Sequence, residues 1–571
     1  MSIDTLLDPV ADTPAPDEPT PVLRVRGLSV TRGLASAGHR ITAPTDLELY
    51  PGRTLGIVGE SGSGKTVTAN AIADLLPGAL DFTADEIVLA GTNLVNLGRR
   101  RRRAWIRQHI GVVFQNPITA LNPRLTIGAQ VYEALPASLR GRKARWAQVV
   151  ELLDLVGIPS AASRLDAYPH EFSGGLNQRV VIAIAIARDP AVLIADEPTT
   201  ALDVSVQAKV LDLVDDLERE LGVAVLLVSH DIGVIAERSD DIVVMRSGTV
   251  VERATTAHLL AHPAEEYTRE LLAAAPDITR PADPPVPDDT PVVLEARAVR
   301  REFRRPGLVR RGHARVAVDD VSLTIRRGES IGLVGESGSG KTTLARTLVG
   351  LDDATGGEVL FDGAPIRHLS PAERRAWRRD VQYVFQDPYG ALDPRLTVRD
   401  LIAEPIEING TDAERAAIDE TVSALLREVD LDPALAERRP GTLSGGQRQR
   451  VVIARALATN PRVLVADEPV SALDLTVQAA VIDLLRRLQA GRGLSLLLIS
   501  HDLAVVKSLC SRIVVLHHGT VVESGSTEDL FAAPHHDYTR ELLAAVPRPP
   551  HRSDTPDLTT HRKVPRGEEH P

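Results

Sequence analysis

GESGSGKT at residues 59–66 stands again, letter for letter, as GESGSGKT at residues 335–342. Each copy follows a short apolar run, TLGIV at residues 54–58 and SIGLV at residues 330–334, and each leads into a helix-forming stretch. A strand that enters GxxxxGKT and leaves as a helix is a phosphate-binding loop. Its glycines let backbone N–H groups turn inward around phosphate oxygens, and the helix N-terminus adds the positive end of a dipole. Gly59, Glu60, Ser61, Gly62, Ser63 and Gly64 make the first cradle, and Gly335, Glu336, Ser337, Gly338, Ser339 and Gly340 the second. Lys65 and Lys341 are expected to reach the β- and γ-phosphates, and Thr66 and Thr342 to offer hydroxyls to Mg²⁺.

Four further motifs follow each loop in the same order. Gln115 in FQNP returns as Gln386 in FQDP, Ser173 in FSGG as Ser444 in LSGG, Asp196 in ADEP as Asp467 in ADEP, and His230 in SHD as His501 in SHD. Every one of these pairs is separated by 271 residues. A repeat of whole-domain length means two copies of one nucleotide-handling unit on one chain. The strand before ADEP delivers Asp196 or Asp467 to the carboxyl edge of a sheet, where it can hold Mg²⁺ directly or through water. Glu197 or Glu468 comes next and can polarise an attacking water at the γ-phosphate. A single histidine after an apolar strand is more often structural. His230 and His501 recur at the same distance from their glutamates, which favours contact with the γ-phosphate. Gln115 and Gln386 end apolar stretches and can touch metal or water. Ser173, Gly174 and Gly175, like Ser444, Gly445, Gly446 and the following Gln447, open a helix. That geometry serves as an N-cap and also as an anion site.

The first copy spans residues 21–272 and the second 292–546. Residues 273–291 are Pro- and Asp-rich and read as a linker; residues 1–20 and 547–571 read as disordered tails. Apolar strands alternating with helices predict an α/β fold, each copy a mainly parallel sheet core. Residues 115–173 and 386–444 are poor in strand signals and read as an inserted helical subdomain. The second copy gains five residues before its glycine-rich loop and loses five before Gln386, changes that belong in surface loops. The arginine runs at 99–103 and 374–379 read as solvated helix faces.

Bulk properties narrow the partners. A net charge of −12 argues against nucleic acid, which usually needs a basic face. The one cysteine, Cys510, excludes an internal disulfide and a cysteine metal cluster. No stretch approaches the roughly 20 apolar residues that a bilayer span requires. Six lysines stand against fifty-nine arginines, and two of the six are Lys65 and Lys341. A compact ammonium is retained where phosphate chemistry wants one.

As an ordered set these motifs resemble the ATP-binding cassette (ABC) ATPases over nearly all of both copies. Finer features are similar to the dipeptide/oligopeptide/nickel importer branch: FQNPITALNPRLTIG and FQDPYGALDPRLTVR, LDVSVQ and LDLTVQ, and the terminal HPAEEYTRELL and PHHDYTRELL. The resemblance implies two P-loop ATPase domains fused in one chain, paired head to tail around two ATP and Mg²⁺. One site would join Lys65, Glu197 and His230 to residues Ser444 to Gln447, the other Lys341, Glu468 and His501 to Ser173 to Leu176. It further implies two separately encoded membrane permease subunits contacted by the segments after Gln115 and Gln386. An extracytoplasmic binding protein would deliver the solute, and the ATPase would be peripheral on the cytoplasmic face. Peptides are the expected solute, with glutathione or a nickel chelate as alternatives. A soluble twin-cassette protein acting on ribosomes or DNA is the competing class; such proteins usually carry a long charged helical segment between cassettes, where this linker is short and acidic. An exporter is a third reading, disfavoured by the YTRELL elements. Two departures stand out. Phe303 occupies the position of an adenine-stacking aromatic, whereas the first copy has Arg32 there, and Leu176 replaces the glutamine found at 447. A guanidinium can also stack on a base.

Overall fold

The computed structural model describes residues 20–33, 39–199, 203–276, 278–303, 315–471 and 473–546. Nearly all of both terminal tails therefore lies outside the described residues.

The strand that feeds the first glycine-rich loop, Thr54–Val58, is buried along its whole length. It lies third in a six-stranded sheet ordered Thr249–Thr255, Asp241–Arg246, Thr54–Val58, Ala224–Val228, Val192–Asp196, Ile110–Val113. All neighbours pair in parallel except the edge strand Thr249–Thr255. The second half repeats this order with Ser330–Val334 between Ser495–Ile499 and Arg512–His517. Central strands covered on both faces read as unbroken apolar runs. In register, Val228 lies beside both Asp196 and Ile57. The glycine-rich loop, the acidic pair and the SHD segment therefore leave the sheet at one edge.

Side chains alternate across the strands and divide the core. Leu193, Ala195, Val225 and Leu227 join the cluster that holds the inserted helices. Val192, Ile194, Leu226 and Val228 face the other way, into a second cluster. The inserted helices Ile127–Ala134, Arg142–Leu155 and Gly174–Ile186 bury Ile127, Val131, Val149, Leu153 and Val180 against the first face. Val398–Asn409, Ile418–Glu428 and Gly445–Leu457 do so in the second half.

The opposite face is covered by an antiparallel sheet that the motif reading did not anticipate. Leu23–Arg32 pairs with Thr45–Leu49 and Glu86–Leu89; Val292–Phe303 pairs with Arg315–Arg326 and Gly356–Phe361. The alternation Leu23, Val25, then Leu28, Val30 is a strand signal interrupted once, at Gly27. There φ is +62° and the register slips. Most of the extra length of the first half before Gln115 falls between residues 72 and 87, in the segment that forms the added strand Leu80–Thr83.

The helix Glu266–Ala274 runs two residues into the segment read as a linker. Further along, Ile278 packs on the core of the second half and the Ala282 amide donates to Glu528. That segment is laid along the second half instead of hanging free. The arginine run in Arg99–His109 is mostly exposed, but Arg102 and Arg103 both grip Asp74, at 2.9 Å each. Among the described residues no helix is long and apolar enough to cross a membrane.

Candidate active sites where the two halves meet

Backbone geometry shapes each loop. Gly59 and Gly335 hold φ of +153° and +149°, and a Cβ there would lie 2.1 and 2.2 Å from the carbonyl oxygens of Met245 and Leu516. Only glycine fits. Lys65 Nζ folds back onto its own loop, donating to Gly59 O at 2.7 Å and Glu60 O at 3.0 Å. Lys341 does the same with Gly335 O (2.6 Å) and Glu336 O (2.9 Å). Thr66 Oγ1 donates to Asp196 at 3.0 Å, and Thr342 Oγ1 to Asp467 at 3.2 Å. Burial pushes both lysines below their usual range and both aspartates above theirs. Ser63 Oγ and Ser339 Oγ are buried without a hydrogen-bond partner. An anion would restore the ammonium, a cation the carboxylate, and a phosphate oxygen would satisfy the hydroxyl.

The acidic, glutamine and histidine positions converge on the glutamate. Gln115 Nε2 donates to Glu197 at 2.6 Å, and His230 Nδ1 lies 3.2 Å from the other carboxylate oxygen. Gln386, Glu468 and His501 repeat this at 2.6 and 3.2 Å. Both glutamates have left-handed backbones, φ +46° and +47°, held by amide bonds to Val228 O and Ile499 O at 2.9 Å. A non-glycine residue in that region costs about 1–3 kcal/mol and persists where its surroundings impose it. In this arrangement both glutamines donate to the glutamate.

The halves meet head to tail. Ser61 N donates to Asp474 Oδ1 at 2.7 Å, and Ser337 N to Asp203 Oδ1 at 2.6 Å. Thr476 Oγ1 donates to Glu60 Oε1 at 2.8 Å, and Ser205 Oγ to Glu336 Oε1 at 2.6 Å. Leu475 inserts into the apolar cluster of the opposite half. Each phosphate loop thus faces the segment after the other half's acidic motif. Asp203 and Asp474 are the last residues of the repeated ALD at 201–203 and 472–474, the D-loop segments of the family resemblance; Ala201, Leu202 and Ala472 lie outside the described residues. Ser173 and Ser444 cap helices of their own halves: Ser173 Oγ accepts from Leu176 N and Ser444 Oγ from Gln447 N, each at 3.3 Å. Gly175 and Gly446 let those helices approach Val206 and Val477, where a Cβ would come within 2.2 and 2.3 Å. Gly174 and Gly445 form the first turns of the same helices.

Besides Leu176 against Gln447, the halves differ at the position of Phe303 and inside the strand that precedes the glutamine. Phe303 lines the cavity over Gly338, Gly340 and Lys341, with the Arg301 guanidinium 4.9 Å from its ring centre. Arg32 ends the corresponding strand and pairs with His39. Tyr383 Oη donates to Asp467 at 2.6 Å, whereas Val112 holds the matching position in the first half. The tyrosine went unnoticed because it lies inside an apolar strand.

The ABC transporter family pattern matches residues 43–200 and again 318–471. This chain belongs to the ABC transporter family. It is an ATPase, and the two matched segments are its cassettes. A second pattern, the oligopeptide/dipeptide transporter C-terminal region, matches residues 251–298 and 522–570. The peptidoglycan transport ATP-binding protein YejF of Agrobacterium fabrum is 45% identical over 92% of this chain and 96% of its own length. The glutathione import ATP-binding protein GsiA of Escherichia coli K12 is 42% identical over 92% of this chain and 89% of its own. The archaeal ribosome recycling factor aABCE1, solved with the stalk protein aP1, superposes with a TM-score of 0.58 over 88% of this chain and 92% of that one. At 20% identity it shows the shared fold alone. ATP and Mg²⁺ are the substrate and metal of ABC cassettes, and the buried lysines, the buried aspartates and the unpartnered loop serines fit both. As an ABC transporter ATPase, the chain works with membrane permease subunits.

The histidines of the cassettes report this electrostatic arrangement. His230 is raised above its usual 6.5, first by its bond to Glu197. For His501, burial acts downward, but the bond and charge of Glu468 outweigh it and the net shift is also upward. Each histidine–glutamate pair is therefore complete below pH 6.5 and is lost as pH rises through the raised value. NMR titration of the nucleotide-free protein should place both imidazole midpoints above 6.5, and Glu197→Gln or Glu468→Gln should lower the matching one. A wild-type midpoint at or below 6.5 would contradict the pairing.

Proposed function

We propose that this chain is the energy-coupling ATPase of an importer for di- and oligopeptides. The observation that carries this reading is the twin match to the oligopeptide/dipeptide transporter C-terminal region, at residues 251–298 and 522–570. The named solutes of the relatives agree: glutathione is a short peptide and peptidoglycan carries peptide stems. Two separately encoded permeases take the cassettes at their cytoplasmic face, and an extracytoplasmic binding protein supplies the solute.

Within each site, Glu197 or Glu468 accepts the proton of the attacking water. His230 or His501 holds that carboxylate from one side and Gln115 or Gln386 from the other, the geometry that keeps the base aimed. Lys65 and Lys341 leave their own loop carbonyls for the nucleotide. Thr66 and Asp196, or Thr342 and Asp467, would hold Mg²⁺, which would supply charge neutralisation to the transferring phosphoryl group. Ser444, Gly445, Gly446 and Gln447 close the Lys65 site, and Ser173, Gly174, Gly175 and Leu176 the Lys341 site. The head-to-tail contacts of Asp474 and Asp203 with the opposite loops support that pairing. Phe303 stacks on adenine at the second site, with Arg32 as its counterpart at the first.

Uptake of labelled di- to pentapeptides by cells lacking this chain, and lacking redundant peptide systems, tests the solute. Wild type should restore uptake and the Glu197→Gln/Glu468→Gln protein should not. Equal uptake in all strains would sink the peptide assignment, and the same strains would then be assayed with glutathione and a nickel chelate.

A further inference from the structure

Each cassette ends in a YTRELL helix, Glu266–Ala274 in the first half and Asp537–Ala544 in the second. Their tyrosines reach the phosphate loops. Tyr267 Oη accepts from Glu60 N at 3.1 Å, and Tyr538 Oη accepts from Glu336 N at 2.8 Å. Both side chains are buried, at 4% and 6% exposure. Burial pushes both phenols up, Tyr538 to about 12, so both stay protonated at neutral pH.

The delivery of these hydroxyls is built, and built twice. Glu252, on the last strand of the first sheet, accepts from Ala264 N at 2.8 Å and Glu265 N at 3.1 Å, just ahead of the helix. Arg269 Nη1 donates back to Pro263 O and Ala264 O at 3.0 and 2.8 Å. Glu523 and Arg540 make the same four contacts with residues 534–536. The ring is held from its face, by the Arg246 guanidinium at 4.6 Å in one half and by the His517 ring at 4.0 Å in the other.

The amide each tyrosine takes belongs to a residue bonded on several sides. Around Glu60, the backbone N–H goes to Tyr267, the carbonyl accepts from Lys65, the carboxylate accepts from Thr476 of the other cassette, and the next N–H goes to Asp474. Around Glu336 the corresponding partners are Tyr538, Lys341, Ser205 and Asp203. The helix Glu266–Ala274 also packs on Leu475–Arg492 of the opposite cassette, and Lys209 bridges to Glu541 at 2.6 Å.

We propose that Tyr267 and Tyr538 are positioning residues of the two ATP sites: each phenol pins the entrance of its phosphate loop so that the opposite cassette seats on the next groups along. The C-terminal region of each cassette thereby acts on its nucleotide site through one backbone amide. This rests on reading residues 59–66 and 335–342 as ATP loops.

The test uses the full chain with Tyr267→Phe and Tyr538→Phe together, which removes two hydroxyl oxygens and keeps both rings. A single neutral hydrogen bond is worth about a fivefold change in an equilibrium. KM for ATP should rise about fivefold while kcat at saturation changes less than twofold. Amide exchange at Glu60 and Glu336 should quicken by about the same factor, and this readout holds even if the variant melts earlier. A Lys65→Ala/Lys341→Ala protein is run beside it. If that protein loses ATP turnover and the phenylalanine protein keeps wild-type KM and exchange, the tyrosine inference falls alone. If the lysine variant turns over ATP like wild type, the loop assignment falls and the inference with it.

Discussion

Glu197→Gln together with Glu468→Gln should lower ATP turnover by at least about 100-fold, the usual contribution of a positioned general base. The replacement is isosteric, so Gln115 and Gln386 still find an oxygen to bond at the position they now reach at 2.6 Å. ATP binding should therefore survive, and the trapped protein should hold nucleotide longer than wild type. Steady-state hydrolysis and nucleotide retention on the same preparation check both halves of the expectation. Turnover within tenfold of wild type would remove the glutamates from the chemistry. Each single variant should also slow hydrolysis, because both sites keep a complete Gln, Glu and His set. If either one alone left the rate untouched, two active sites could not both be at work.

Asp203→Ala with Asp474→Ala should also slow turnover, by another route. Each carboxylate accepts a backbone N–H from the opposite phosphate loop, at 2.6 and 2.7 Å. Hydrogen bonds to charged groups contribute about 1.5–3 kcal/mol, or about 10–100-fold in the population of the paired arrangement. Turnover should fall by at least about tenfold while each isolated loop still binds ATP. Asn at both positions retains an acceptor oxygen and should recover part of the loss. Wild-type turnover in the alanine protein would mean that these contacts do not govern pairing.

Much of the site was legible because its chemistry is local. The glycines, lysine and threonine of each loop lie within eight residues, and the strand that feeds them is a plain apolar run. Identical spacing between the two copies then turned weak single residues, His230 and Gln115 among them, into positions worth naming. The antiparallel sheet escaped because Gly27 breaks the alternation of Leu23–Arg32 in the middle. Tyr383 escaped because an aromatic residue in an apolar strand reads as core, and only the fold sets its hydroxyl on Asp467.

The partners across the chain could not be read in this way. Ser61 and Asp474 are 413 residues apart, and Glu60 and Tyr267 are 207 apart. Composition and spacing specify what each segment can do: a phosphate cradle, a cation-holding carboxylate, a base. Contacts between remote segments depend on how whole layers pack, through the insertion of Leu475 into the other cassette's core and the seating of the terminal helices. Hydrogen bonds of one or two kcal/mol follow that packing and do not direct it. The amino-acid order therefore establishes two ATPase units, and the tertiary arrangement establishes whose loop each aspartate and each tyrosine holds.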